Sequence, residues 1–419
     1  MQVVKQFYKS VSLLLLLNIV LKPIWILGID RQVQLIVGAT TFGNYYALLQ
    51  LATIFSIVLD FGLGIYYTTN YTNTTKAILQ GQFKHLLIVK IVLSLAYTLL
   101  ILILYSSFGV PITNIIGLLI VTQIANSFLL FGRNYFTIHQ LYTYDAWLSV
   151  TDKLLATAII GYMLYMPTSL YDISIQQYIT IPLCCKVLLI IVVYAYIFNT
   201  PIQQSSPTTI THSPNLKKII PYTLVILLMA VLLRSHIWLL KVLHPTGTTE
   251  VAVYAYGYRL LDAFNSFGYL VAAFLFPFIC KHLPHTVIVH KVLRQLTIWL
   301  WVLCFVLIVG VFICKNEIAT MLYHTALYPT PWVIWYSCTA CLGCGLVHIY
   351  SSVLTAANAI QLLIKITLSF TLLSIVTNII VIPLYGAIGT AIVCSIVQLG
   401  YGVTLWVYSR KTVATQKNN

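Results

Sequence analysis

The run LLIVKIVLSLAYTLLILIL, residues 86–104, carries one charge in nineteen residues. It leaves no polar face for water and matches the roughly 20 apolar residues that carry a helix across about 30 Å of hydrocarbon. The run does not alternate with period two, so it is not the strand of a membrane β-barrel. In hydrocarbon every backbone group needs a partner within the segment, which leaves the α-helix.

Similar runs recur along all 419 residues, and only 7% of the chain is charged, against roughly 25% in soluble domains. Charges and turn formers divide the chain into predicted helices at 11–29, 44–66, 86–107, 112–131, 144–166, 175–198, 218–243, 251–280, 292–314, 331–357, 363–384 and 386–408. The first has no small-residue cleavage site after it and reads as a membrane helix, not a leader. The longest polar connection, NTPIQQSSPTTITHSPNLK at 199–217, is rich in Pro, Ser and Thr and reads as a linker. The expectation is an all-α polytopic membrane protein with about 12 transmembrane helices in two six-helix lobes around a central cavity. The lobes span 1–198 and 218–419, the second ending in a short cytoplasmic tail. A faint repeat agrees: FGNYYALLQ (42–50) opens the second helix and VAVYAYGYRLLD (251–262) opens the eighth. Repeats six helices apart have the same orientation, as in transporters related by an axis along the membrane normal.

The net charge of +15 would suggest nucleic acid in a soluble protein. Here the predicted loops sort it by side. Lys5, Lys9, Lys76, Lys84, Arg133, Lys217, Lys218, Lys281, Lys291, Arg294, Lys365, Arg410, Lys411 and Lys417 share the side of the N-terminus, against Arg31 and Lys315 on the other. This is the positive-inside pattern, so both termini are expected in the cytoplasm, with membrane lipids as partners and no nucleic acid.

Catalytic chemistry finds little to work with. The expected outer loops hold only Asp30, Asp172, Glu250 and Glu317 as acids, and no clustered carboxylates suit acid–base work. His282, His285 and His290 fall in an expected cytoplasmic loop with no zinc spacing, and no phosphate-binding GxxxxGK[ST] loop occurs. Cys338, Cys341 and Cys344 have metal-like spacing inside a predicted helix and read as packing residues. The two sequons at Asn70 and Asn73 fall on the expected cytoplasmic side. The expectation is no enzyme, no metal and no cofactor.

Charges inside the predicted helices are the informative residues, because a lone charge at mid-bilayer costs several kcal/mol. The bases are Lys22, Lys90, Lys153, Lys186, Arg234, Lys241 and Arg259; the acids are Asp60, Asp145, Asp152 and Asp262. Lys90 and Lys241 are expected to snorkel to opposite faces. Arg259 and Asp262, three apart, can pair on their own helix. Lys22 and Arg234 have no acid on a neighbouring turn. Either they line a cavity that takes an anion, for which arginine's bidentate grip suits phosphate, or they pair between helices with Asp60, Asp152 or Asp262. Pro23, beside Lys22, permits either a moving bend or a fixed kink.

Three stretches carry a family resemblance: VGATTFGNYYALLQLATIFSIVLDFGLG (37–64), AVYAYGYRLLDAFNSFGYLVAAFLFPFI (252–279) and NIIVIPLYGAIGTAIVCSIVQLGYG (378–402). They resemble the polysaccharide flippases, including the O-antigen and lipid II flippases, of the multidrug/oligosaccharidyl-lipid/polysaccharide exporter superfamily. The resemblance implies alternating access in the bacterial inner membrane. The cargo it implies is an undecaprenyl-pyrophosphate-linked saccharide moved from the cytoplasmic to the periplasmic leaflet for cell-surface polysaccharide or lipopolysaccharide assembly. It places Lys22, Arg234 and Arg259 on the pyrophosphate; Arg31, Asp60, Lys153 and Asp262 are expected, from their places along the helices, to gate or support. Polysaccharide assembly proteins are further expected partners of a monomeric transporter. His236 stands where many relatives have an acid two residues after the arginine, which puts ion coupling at that position in doubt. The alternative is a cation-coupled multidrug exporter of the same superfamily, against which the surplus of buried base counts. A membrane-embedded polymerase lacks the large outer loop it would need.

Overall fold

A computed structural model describes residues 17–18, 20–61, 63, 76–138, 141–165, 173–199, 216–282, 286–324 and 329–415, and every regular element among them is helical. We number them α1 (20–37), α2 (Ala39–Phe55), α3 (Lys76–Ser107), α4 (Asn114–Ile138), α5 (Tyr142–Tyr165), α6 (Ile175–Asn199), α7 (Leu216–Leu243), α8 (Gly247–His282), α9 (Thr286–Ile313), α10 (Lys315–Tyr323), α11 (Thr330–Ala356) and α12 (Ile360–Thr415).

Among the described residues nine helices are long and apolar enough to cross a membrane. The last, α12, would be about 80 Å long if straight. It folds into two legs at Gly386, whose φ of +51° and ψ of −133° are not helical, a conformation open to glycine. The break falls between the two helices expected at 363–384 and 386–408. Helix α8 carries Glu250, Arg259 and Asp262 along it, and α1 is π-helical over Ile24–Asp30.

Several expectations need correction. The second helix does not run from 44 to 66. It ends at Phe55, continues as a 3-10 turn over Ser56–Leu59, and breaks at Phe61, where φ is +40°. The freed backbone is held by side chains: Lys90 Nζ donates to the Leu59 carbonyl at 3.1 Å and Ser127 Oγ at 3.4 Å. Arg31 is not in a loop but inside α1, which runs on to Val37. Lys84 lies in α3 and Arg133 in α4, where Arg133 pairs with Asp145 at 2.7 Å. His290 lies on α9, not in a loop. The short helix α10, at a connection expected to be loop, buries Ala319 and Tyr323, the latter stacked on Tyr256 at 3.9 Å. Of the linker expected at 199–217, Asn199 ends α6 and Leu216 begins α7; residues 200–215, Asp172, His285 and both sequons lie outside the described residues.

The chain forms two compact units. Unit 1 is Met1–Ile36 with Ala52–Thr223; unit 2 is Val37–Leu51 with Leu224–Asn419. Helix α2 is thus divided between them, which no hydropathy pattern signals. In unit 1 the core joins α3, α4 and α6, with Phe83 stacked on Phe131 at 4.8 Å. Gly132 lets α6 approach α4, since a Cβ there would meet Val193 at 2.7 Å. In unit 2 the core joins α7, α8, α9, α11 and α12. Helices α11 and α12 touch backbone to backbone, and a Cβ on Gly343 would lie 2.3 Å from the carbonyl carbon of Gln398. Lipid tails are as apolar as leucine, so such close van der Waals contact drives helix association in a membrane.

Candidate functional site

The polar residues richest in chemistry lie in unit 2. Helix α2 contributes Phe42, Tyr46 and Gln50, four apart and so on one face. Helix α8 contributes Tyr254, Tyr258, Asp262 and Asn265 at the same kind of spacing. Helix α7 supplies Arg234, whose guanidinium donates to Gln50 Oε1 and, at 3.1 Å, to Asp262 Oδ1. Arg234 therefore has a carboxylate, from the next helix in sequence. Of the two readings open in the sequence, the structure realises the interhelical pair with Asp262.

Around this pair Tyr258 donates to the Leu233 carbonyl at 3.0 Å, and Tyr254 Oη lies 2.8 Å from His236 Nε2. Arg259 is 3% exposed, and its guanidinium lies 4.9 Å over the Phe42 ring, a cation–π contact. One turn beyond Asp262, Asn265 Oδ1 sits 2.8 Å from His348 Nε2 and accepts from Cys344 Sγ at 3.3 Å. Lys241 does not snorkel. It donates to Asn44 Oδ1 at 2.7 Å and lies 5.0 Å from the centre of the Trp238 ring.

The Asp262 side chain keeps 36% of its exposure while Arg234 keeps 19%. The carboxylate is thus the more exposed partner of the pair, and the guanidinium stays charged in any condition a protein meets. Without the Asp262 contact Arg234 would keep its hydrogen bond to Gln50. The arrangement can exchange one partner of the arginine for another.

Unit 1 has its own polar groups. After Pro23, helix α1 is π-helical from Ile24 to Asp30. Such wide turns loosen the usual ladder and often mark working sites. Tyr165 donates to the Gly28 carbonyl at 2.8 Å, Tyr178 donates to Asp30 Oδ1 at 2.7 Å, and Trp25 stacks on Tyr178 at 5.9 Å. Lys22 is half-buried on this helix. Lys90 is fully buried and paired with Asp60 at 3.4 Å, which corrects the expectation that it snorkels. Asp152 and Lys186 are both buried, and the charges of Asp152 and the half-buried Lys153 act on Lys186. Among the described residues no group of three His, Cys, Asp or Glu side chains could hold a metal.

The structure thus groups Arg234, Arg259 and Asp262 in unit 2, and places Lys22, Arg31, Asp60 and Lys153 in unit 1. Sequence reasoning missed Gln50, Asn44, Tyr46 and Asn265. The signal for the first was present: Phe42, Tyr46 and Gln50 share one face of a stretch already singled out by its likeness to the start of the eighth helix.

No protein-family model matches the chain, and no curated protein matches it. Solved structures do. The inward-facing conformation of a multidrug resistance MATE family transporter of the MOP superfamily aligns over 97% of this chain and 99% of its own, at 12% identity and TM-score 0.68. An outward-facing conformation of such a transporter aligns over 98% and 94%, at 13% identity and TM-score 0.63. A Vibrio cholerae MATE transporter, VcmN, aligns over 99% and 98%, at 13% identity and TM-score 0.63. These neighbours are transporters rather than enzymes, and they belong to the superfamily towards which the three sequence stretches pointed. The chain is a multi-pass, all-α membrane protein with the MATE-transporter fold.

Proposed function

We propose that the chain is an alternating-access exporter of amphipathic molecules, driven by a cation gradient, in the cytoplasmic membrane of a bacterium with both termini inside. The observation that carries this reading is the near full-length match to multidrug MATE transporters in both inward-facing and outward-facing conformations. The pairing of Arg234 supports it, because the case for an anionic cargo rested on deep cations without partners, and Arg234 has Asp262 and Gln50. In this reading Asp262 is the coupling carboxylate: it binds the driving cation or proton and lets go of Arg234.

The test is efflux from proteoliposomes under an imposed pH or sodium gradient, read with a panel of fluorescent cationic dyes. Gradient-driven movement several-fold above empty vesicles, lost in Asp262→Asn, is the expected result. Dye movement no faster than in empty vesicles for the whole panel would overturn it.

A second reading has its own support. Arg259 lies one turn from Asp262 on α8, with its guanidinium over the Phe42 ring. Two buried or half-buried arginines on neighbouring helices, with the sequence resemblance, favour a flippase for polyprenyl-pyrophosphate-linked saccharide. Within unit 2, Arg234 and Arg259 would then be the candidate pyrophosphate contacts. Lys22, as a candidate contact, and Arg31, Asp60 and Lys153, as candidate supporting residues, belong to unit 1. Translocation of a fluorescent pyrophosphate-linked saccharide, abolished by Arg259→Gln while no dye moves, would decide for this reading.

A further inference from the structure

Unit 2 contains a cavity of about 330 Å³ well apart in sequence from the Arg234 cluster, lined by His290, Arg294, Trp301, Tyr350, Trp406 and Arg410, among others. Its volume is about ten times a water molecule's share of the liquid. Three lining residues are basic or titratable to a cation, and none is acidic.

The order of these residues along their helices is informative. On α9, His290, Arg294, Ile298 and Trp301 are spaced four, four and three apart and so share a face. The stripe runs from basic to apolar over roughly 16 Å. On the second leg of α12, Arg410 and Ser409 lie about one turn beyond Trp406. Arg294, near the start of α9, and Arg410, near the end of α12, both line the cavity and both fall on the side that the distribution of basic loops assigns to the cytoplasm. Arg410 lies 4.9 Å over the Trp406 ring, which holds the guanidinium beside the cavity. Deeper in, the hydroxyls of Thr297 and Tyr350 meet at 2.7 Å.

The apolar end is not closed by protein. Along Val287–Ile313 only Val289, Leu293, Thr297 and Cys304 are buried, and Ile298 and Trp301 are 51% and 45% exposed. In a bilayer that flank faces acyl chains. A ligand that fits must therefore carry negative charge at one end and hydrocarbon at the other, and must enter from the side.

We propose that this cavity binds an anionic phospholipid. Arg294, Arg410 and His290 take the phosphate, the Thr297–Tyr350 pair meets the glycerol region, and the acyl chain lies along Ile298 and Trp301. Arginine suits a phosphate through its paired, planar donors, and basic pockets between helices at the cytoplasmic face are a known chemistry for anionic headgroups. The assignment does not depend on which cargo the transporter carries.

The test is native mass spectrometry of the full chain in mild detergent, titrated separately with phosphatidylglycerol, phosphatidylcholine and inorganic phosphate. The wild type is expected to retain phosphatidylglycerol at about tenfold lower concentration than phosphatidylcholine. Arg294→Gln with Arg410→Gln is expected to bring the two lipids level, while Arg294→Lys with Arg410→Lys keeps most of the preference. Equal retention of the two lipids by the wild type would overturn the proposal, and needs no variant. A preference that survives in a monodisperse double glutamine variant would also overturn it. If inorganic phosphate bound as tightly as the lipid, the site would be one for free phosphate and the lipid assignment would fall.

Discussion

Arg234 on α7 and Asp262 on α8 meet at 3.1 Å, and Gln50 from α2 accepts a hydrogen bond from the same guanidinium. A charge-assisted contact of this kind inside a membrane helix bundle removes the isolated charge that hydrocarbon penalises most. The groups are partly exposed, so the pair is better suited to being made and broken than a fully sealed one. Arg234→Ala alone leaves Asp262 without its cation. Removing both should therefore cost less than the two single changes added together. A double-mutant cycle on thermal unfolding in detergent is expected to give a coupling of about 1 kcal/mol. Strict additivity would show that the contact is not made.

Lys90 is a different case, because it is fully buried and holds both the Leu59 carbonyl and Asp60 where α2 breaks. Lys90→Met keeps the volume and removes the donor. It should destabilise the protein by roughly 1 kcal/mol, because the Leu59 carbonyl would keep only the longer hydrogen bond from Ser127 and Asp60 would lose its cation. The fall in unfolding temperature measures this, and an unchanged temperature would mean that the break in α2 is held by other contacts.

At Gly386 the second leg of α12 begins with the Ala387 N–H donating to Glu250 at 2.6 Å. The carboxylate sits at a helix N-terminus, where negative charge is favoured. Glu250→Leu is expected to cost about 1 kcal/mol. Gly386→Ala should cost more, since a Cβ would lie 2.4 Å from the Glu250 carboxylate and φ is +51°. Thermal unfolding of both variants tests the ranking, and the reverse order would contradict the capping account.

Close helix contact predicts a contrast among glycines. Gly343→Ala puts a Cβ 2.3 Å from the Gln398 carbonyl carbon, while Gly117 and Gly310 have nothing within 4 Å. The first substitution is expected to lose the monodisperse peak on size exclusion. Gly117→Ala and Gly310→Ala should be neutral or slightly stabilising, as alanine is the better helix former. Equal behaviour of the three would mean α11 and α12 can part without cost.

Much of this was legible before any coordinates. Spans such as 331–357 and the break between 384 and 386 came within a few residues of α11 and Gly386, because apolar length and glycine punctuation act locally. The break in α2 was not legible, since residues 55–61 contain no Gly or Pro and the side chain that holds the break, Lys90, is about 30 residues away. The same holds for the site. Arg234 stood out as a deep cation, but Asp262 is 28 residues from it and Gln50 is 184 residues from it. Nothing in the sequence ranked Asp262 above Asp60 or Asp152 as its partner.

The chain's sequence by itself determined that it spans a membrane many times as helices, because a backbone in hydrocarbon must satisfy its own hydrogen bonds within about 20 residues. Only the tertiary structure decided which buried charges meet, which half of α2 belongs to which unit, and where basic and aromatic side chains enclose a cavity. Those outcomes depend on which helices come close, and in a membrane that is set by steric fit and polar pairing between segments far apart in sequence.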